Sequence, residues 1–254
     1  MSATLRIIRL FALFYMFILF ACSERVSTVD WSKADVDPVR QSIQKNQVKS
    51  YYSFFHGKNH EGEKFTYKSD SANYSEHGYE MSFFQLDDFL GGTMILNKYD
   101  SLNRLIEKVI RSDYGSHYLF EYESVDDHLG VVKMYEINRN DTVLFVRTVH
   151  VFSEVEKRLE AKIEYLNNST DTLDYEFYHY EDTRLFQIDG RRRTINFIYN
   201  DSHMLTQINK VFHYLKDIAL PHEIDHISTR TGLIDSTTIN EFDMVKYYHY
   251  EYWK

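Results

Sequence analysis

The chain of 254 residues has a single cysteine, only two prolines and nine glycines. One cysteine excludes an internal disulfide, so an exported domain built on this sequence has to be held by its core alone. Pro38 and Pro221 are the only points of fixed φ. A Gly-rich phosphate loop is absent and so is G-x-S-x-G, which removes the commonest nucleotide-binding and serine-hydrolase signals. Clustered cations are scarce: the formal charge is −9, from 29 Lys+Arg against 38 Asp+Glu. A nucleic-acid partner is therefore not expected, because counterion release needs basic patches. No apolar run reaches the ~20 residues of a membrane-spanning helix.

What is present begins at the N-terminus. Arg6 and Arg9 precede an unbroken apolar run, Leu10 to Phe20, closed by Ala21-Cys22. That order of charge, short apolar stretch and small residue is a secretory leader. Leu19-Phe20-Ala21-Cys22 resembles the lipobox of bacterial lipoproteins, with Phe20 bulkier than the residue usual at that place. The resemblance implies cleavage after residue 21, lipidation of Cys22 and an envelope location, anchored to the outer membrane at its periplasmic face or at the cell surface. Loss of Arg6 and Arg9 with the leader leaves 27 basic and 38 acidic residues, a charge of −11. Attachment then rests on the acyl chains and not on a basic face. Residues 22–45 are mostly polar and read as a lipidated tether ending in a short helix, and 46–254 as one aromatic-rich β domain.

The 21 Tyr and 18 Phe supply that domain's core, each ring burying roughly 150–250 Å². Period-two alternation predicts strands. Leu159, Ala161, Ile163 and Tyr165 share one face, with Glu160, Lys162 and Glu164 on the other. Leu173, Tyr175 and Phe177 alternate with Asp174 and Glu176, and Thr194–Tyr199 repeats the pattern. Val143–Val151 is more continuously apolar and reads as a central strand. Tyr248, Tyr250 and Tyr252 share a face at the C-terminus. Asn140-Asp141, Asn167-Asn168, Asp189-Gly190 and Asn200-Asp201 are hairpin-turn pairs. A 3.6-residue period through Ile208, Val211, Phe212, Leu215 and Ile218 predicts one short helix over 206–219. The expected fold is mainly β, an antiparallel sheet of successive hairpins.

A degenerate repeat runs through the middle. Tyr99-Asp100-Ser101-Leu102-Asn103-Arg104-Leu105 is echoed around Tyr122, Phe152, Tyr180 and Tyr199. In each, an aromatic and a polar turn lead to a leucine, at 105, 129, 159, 185 and 205. Residues 95–210 thus resemble the YD-type hairpin repeats of bacterial surface proteins, without the repeat's glycine. The resemblance implies an architecture, with neighbouring hairpins stacking in sequence, and not a function. A plain antiparallel sheet with similar turns fits equally well.

Candidate chemistry is sparse. His222-Glu223-Ile224-Asp225-His226 matches H-E-x-x-H, which holds zinc when a helix brings both imidazoles to one face. Here Pro221 precedes it and Asp225 sits inside it. A strand would put Glu223 on the face opposite His222 and His226, and a third ligand would have to be Glu241 or Asp243. The reading goes against a zinc hydrolase, and no catalytic residue, metal or cofactor is expected. His56 and His60 flank a loop and form a second candidate metal pair. Arg191-Arg192-Arg193 reads as a solvated turn or as a grip for an anion. Asp-Ser/Thr followed by an apolar residue or Thr occurs at Ser71, Ser101, Thr142, Thr172 and Ser236, where composition would give about one match by chance. This resembles an O-glycosylation sequon of one group of Gram-negative bacteria and marks those five hydroxyls as candidate acceptors. Asp-Ser/Thr is also turn chemistry, and both readings stand.

The expected object is a non-catalytic, lipid-anchored binding or scaffolding module, with the C-terminal tyrosine face offered to a protein or glycan partner. A carrier of lipid or another apolar ligand, with a sheet wrapped round a cavity, is the alternative.

Overall fold

The computed structural model describes residues 28–253 apart from 35, 59–60, 88–90, 139–140, 214–221 and 241–243. Sixteen antiparallel strands, each hydrogen-bonded to its sequence neighbours, close into a barrel through β1 (Val48–Lys58) and β16 (Met244–Tyr252). Between them run β2 (Lys64–Tyr74), β3 (Glu80–Asp87), β4 (Gly91–Tyr99), β5 (Leu105–Arg111), β6 (Ser116–Ser124), β7 (Leu129–Asn138) and β8 (Asp141–Phe152). β9 (Leu159–Leu166), β10 (Thr172–Glu181), β11 (Arg184–Gly190), β12 (Arg193–Tyr199), β13 (Leu205–Phe212), β14 (Glu223–Ile227) and β15 (Ile234–Ile239) complete the wall. The expected hairpin sheet is present, and closure leaves it without an unpaired edge.

Seven connections, β2–β3 through β14–β15, lie at the end where β1 begins, here the near end. The leucine-opened units of the sequence all sit there. Asp100 Oδ1 accepts from Leu102 N and Arg104 N, and Asn200 Oδ1 accepts from Ser202 N and Met204 N. Asn103 and His203 occupy matching left-handed positions, φ 60° and 63°. The aromatics do a second job. Tyr122, Tyr180 and Tyr199 donate through their hydroxyls to the carbonyls of Leu105, Leu159 and Leu185, at 3.1, 2.9 and 2.9 Å. The arginine before each of those leucines stacks on the same ring: Arg104 on Tyr122, Arg158 on Tyr180 and Arg184 on Tyr199. A hydroxyl bond contributes about 1 kcal/mol and each cation–π contact about 0.5–1 kcal/mol. The echo in the sequence is thus a repeated clamp between consecutive hairpins.

The segment from Val29 onward, the membrane-distal part of the expected tether, packs into the near end of the lumen. Trp31–Ala34 forms a 3-10 turn and Pro38–Lys45 a helix, α1. Asp37 caps α1, accepting from Val39 N at 2.9 Å, and Pro38 occupies its first turn. Val39 and Ile43, one turn apart, face the wall. Ile43 packs with Val48 and Leu233, and Val39 also touches the main cluster of Val29, Phe152, Leu159, Leu185, Ile195 and Phe197. Trp31 stands edge-on to Tyr122, His150 and Phe152. Gly130 makes that seat: a Cβ there would lie 2.5 Å from the indole. We expect Gly130→Ala to cost about 1–3 kcal/mol by overpacking, read as a lowered denaturation midpoint. An unchanged midpoint would show that the indole is not seated there.

The predicted helix over 206–219 is corrected: Leu205–Phe212 is strand β13, and 214–221 lie outside the described residues. Ile208 is buried while Lys210 and Phe212 share its lumenal side. A fully apolar lumenal stripe was not needed, and the 3.6-residue match arose because both faces of β13 carry apolar residues.

Candidate functional site: the barrel lumen

Alternation along the strands decides what fills the barrel, and in β9 and β10 it runs opposite to expectation. A register shift between Val151 and Phe152 places Leu159 and Ala161 on different faces. Lys162, Glu164 and Glu176 line the lumen, and Phe177 is exposed on the outer wall. In β12 and β13 the usual sense returns, with Ile195, Phe197 and Ile208 inward. By the same alternation, Lys133, Arg147, Asn196 and Asn209 belong to the outer wall, where charge and amides interrupt the apolar residues.

The result is a lumenal cavity of about 870 Å³ between the N-terminal segment and the charged strands. Its lining holds five basic side chains, Arg40, Arg104, Lys162, Arg193 and Lys210. Five acidic ones balance them: Asp37, Glu80, Glu164, Glu176 and Asp225. Aromatic walls come from Trp31, Tyr74, Tyr79, Tyr99, Tyr122 and Tyr178. A second cavity of about 550 Å³ shares Lys162, Glu164, Glu176 and Arg193 and adds Asp174, Arg192 and Phe212.

The polar groups are held in place. Arg193 Nη2 meets Glu176 Oε1 at 3.3 Å, and Tyr178 donates to Glu176 Oε2 at 2.8 Å. Lys210 Nζ lies 2.9 Å from Asp225 and 3.2 Å from Glu223. Burial works against the Lys210 ammonium, but these two carboxylates outweigh it and raise its pKa. Thr237 donates to Asp225 Oδ1 at 2.6 Å and lies 3.0 Å from Tyr248 Oη. His150 is pushed down to about 3, by burial first and by Lys162 second, so its imidazole is neutral. Its Nδ1 is buried without a hydrogen-bond partner. Glu164 stands opposite Asp174 in the β9–β10 register. Burial, then Asp174 and Glu176, raise its pKa. Like charges directly opposite are unfavourable, and the Arg192 guanidinium, 3.0 Å from Asp174, offsets the pair.

The motif residues are placed apart. His222–His226 runs into strand β14, in which four residues span about 13 Å. His222 is buried, its Nδ1 accepting from Phe212 N at 3.0 Å. Glu223 pairs with Lys210, and His226, exposed, lies 3.0 Å from Thr238 Oγ1. The two imidazoles do not converge, and among the described residues no three metal-ligating side chains gather. His56 lies on β1, 2.9 Å from Thr66 Oγ1, and His60 is outside the described residues.

The arginine run is an exposed turn between β11 and β12, the first of its two readings, and its side chains are already partnered within the protein. Arg191 donates to the carbonyls of Thr172 and Leu173, Arg192 pairs with Asp174 and Arg193 with Glu176. The C-terminal tyrosine face is also corrected. Tyr250 donates to Ile234 O, Tyr248 joins the Thr237 network, and Tyr51 packs against both. Of the three tyrosines of that face, Tyr252 alone is exposed. Pairing with Ser53 and Tyr51 turns Tyr248 and Tyr250 inward, so they offer no external partner surface.

Of the candidate glycan acceptors, Ser101 is exposed in the β4–β5 turn, and Thr142 and Thr172 are exposed at strand starts. Ser71 and Ser236 are half-buried within β2 and β15. Two of the preceding aspartates already have tasks: Asp100 closes its turn and Asp70 is ion-paired to Lys246. Cys22 is outside the described residues.

The lumenal charges carry a sequence signal, but alternation alone does not say which side of a strand is interior. Lys162, Glu164, Asp174 and Glu176 are the polar halves of alternating strands, and only closure makes their side an interior.

No family model and no curated protein matches the chain. Among solved structures, a porin-like protein from Bacteroides uniformis is similar over 80% of this chain and 98% of that one. Its identity is 12% and the TM-score 0.35, a likeness too slight to carry fold or function across.

Proposed function

We propose that this is a lipid-anchored, non-catalytic envelope protein whose barrel lumen binds a neutral, hydroxyl-rich ligand such as a short glycan. The supporting observation is the cavity of about 870 Å³, with five charges of each sign and aromatic walls. Ligand cavities commonly span ~300–1,000 Å³, so its size suits a small molecule and not a folded partner. Balanced charge favours neither an anion nor a cation. Aromatic rings with nearby donors and acceptors suit the apolar faces and hydroxyls of a sugar. The carrier of an apolar ligand finds the size it needs here but not a dry wall.

The test is calorimetric titration of the full mature protein in detergent with neutral oligosaccharides, alongside a fatty acid. A saccharide should bind, and Glu176→Gln should weaken it about tenfold, or ~1.4 kcal/mol. Fatty-acid binding alone would transfer the lumen to the carrier reading, and no binding by a folded protein would remove the chamber. The intact mass of the mature chain checks the anchor separately: it should begin at an acylated Cys22.

A further inference from the structure

Large apolar side chains are unusual at the tips of hairpin turns, yet four near-end turns display them. Leu102 in β4–β5 is 68% exposed, Val125 in β6–β7 52%, Val155 in β8–β9 91% and Met204 in β12–β13 41%. Trp253, which follows β16, is 42% exposed at the same end. None of the four tips belongs to the buried clusters.

Chain length says what covers them. Val29 is buried at this end, and its N–H donates to Ser124 Oγ at the last residue of β6. Cys22 precedes Val29 by seven residues, a span of at most about 25 Å when fully extended. We propose that the near end of the barrel is seated on the membrane that carries the anchor, with the four apolar tips and Trp253 in the headgroup layer of a zwitterionic phospholipid surface. This rests on the lipid-anchor reading of Cys22.

Three features define the seating. Trp is the residue that prefers the membrane–water boundary. The outer wall above the tips carries the ion pairs Lys98–Glu107 and Lys133–Glu123, which stop the barrel at the surface. Beside the tips, Lys157 pairs with Asp127 and Arg158 with Glu156, while Asp126, Glu154 and Asp201 leave the turns with an excess of negative charge, so anionic headgroups are repelled and neutral ones tolerated.

The experiment uses the full mature protein reconstituted into phosphatidylcholine vesicles, with a nitroxide on Val155→Cys or on Tyr114→Cys. Tyr114, in the β5–β6 turn at the opposite end, is 90% exposed. The two sites are thus equally open in the protein itself, and any contrast between them comes from the membrane. The Val155 label should lose most of its collisions with a water-soluble relaxer and gain them with oxygen, while the Tyr114 label stays fully accessible. Equal accessibility overturns the seating. A stronger contrast on phosphatidylglycerol than on phosphatidylcholine overturns the choice of a zwitterionic surface. Thiol titration of the unlabelled protein reports the anchor independently. A reactive Cys22 thiol would sink the anchor reading, whatever the labels show.

Discussion

Replacing Lys246 with alanine is expected to destabilise the protein by about 3–5 kcal/mol, because it strands a buried carboxylate. At roughly 2–4 °C per kcal/mol for a domain of this size, the melting temperature should fall by about 6–20 °C. Asp70, on β2, is 5% exposed and is held by the Lys246 ammonium from β16. From β1, Ser53 donates to it at 2.5 Å and is itself fully buried. The Lys246 ammonium also lies over the rings of Phe55 and Tyr248. Three strands therefore meet at one ion pair, and those strands include both sides of the barrel's closure. Replacing both partners, with Lys246→Met and Asp70→Leu together, should recover most of the loss, since no unpaired charge remains. Thermal unfolding followed by circular dichroism reads both variants. A loss below about 1 kcal/mol for the single change would mean the pair behaves as a solvated one.

Leu159→Ala should cost about 2–5 kcal/mol. Leu159 opens β9, has no exposed surface and packs in the main cluster beneath the near-end turns. Its side chain carries the packing, while its carbonyl accepts the Tyr180 hydroxyl. Substitution by alanine keeps that backbone acceptor, so the measured loss reports the cavity and not the clamp. Tyr180→Phe removes only the hydroxyl bond and should cost about 1 kcal/mol. Denaturant midpoints at constant m separate the two. If Tyr180→Phe proves as costly as Leu159→Ala, the clamp and not the leucine holds the hairpins together.

The strands were legible because alternation and turn residues are local properties. Leu159–Leu166, Thr172–Glu181 and Arg193–Tyr199 form where the period-two pattern put them. The leucine-opened turns were legible for the same reason, since Asp100 and Asn200 each close their turn within four residues. Facing was not legible in β9 and β10. A one-residue register shift exchanges the two sides, and which side is interior depends on closure between strands nearly two hundred residues apart. Sequence period also could not separate strand from helix in 206–212, where Ile208, Val211 and Phe212 satisfy both templates. The lumenal charges share the cause of the facing error: a glutamate alternating with isoleucine reads as solvent-facing until a wall stands opposite it. His222 and His226 show the reverse, a motif complete in spacing that the strand pulls apart.

The order of the chain sets an order of assembly. Every strand pairing but one joins sequence neighbours, and the exception joins the first strand to the last. Hairpins with local contacts form early, whereas the closing pair pays the loop entropy of the whole domain. The lumen's filling, from Val29 to α1, is synthesised before any of the wall that surrounds it. The wall therefore curls around a filling that is already there, and β16, the last strand in the chain order, is the latch. Until it arrives, β1 stands as an open edge, and the last nine strand residues decide whether the chain becomes a barrel or a template for aggregation.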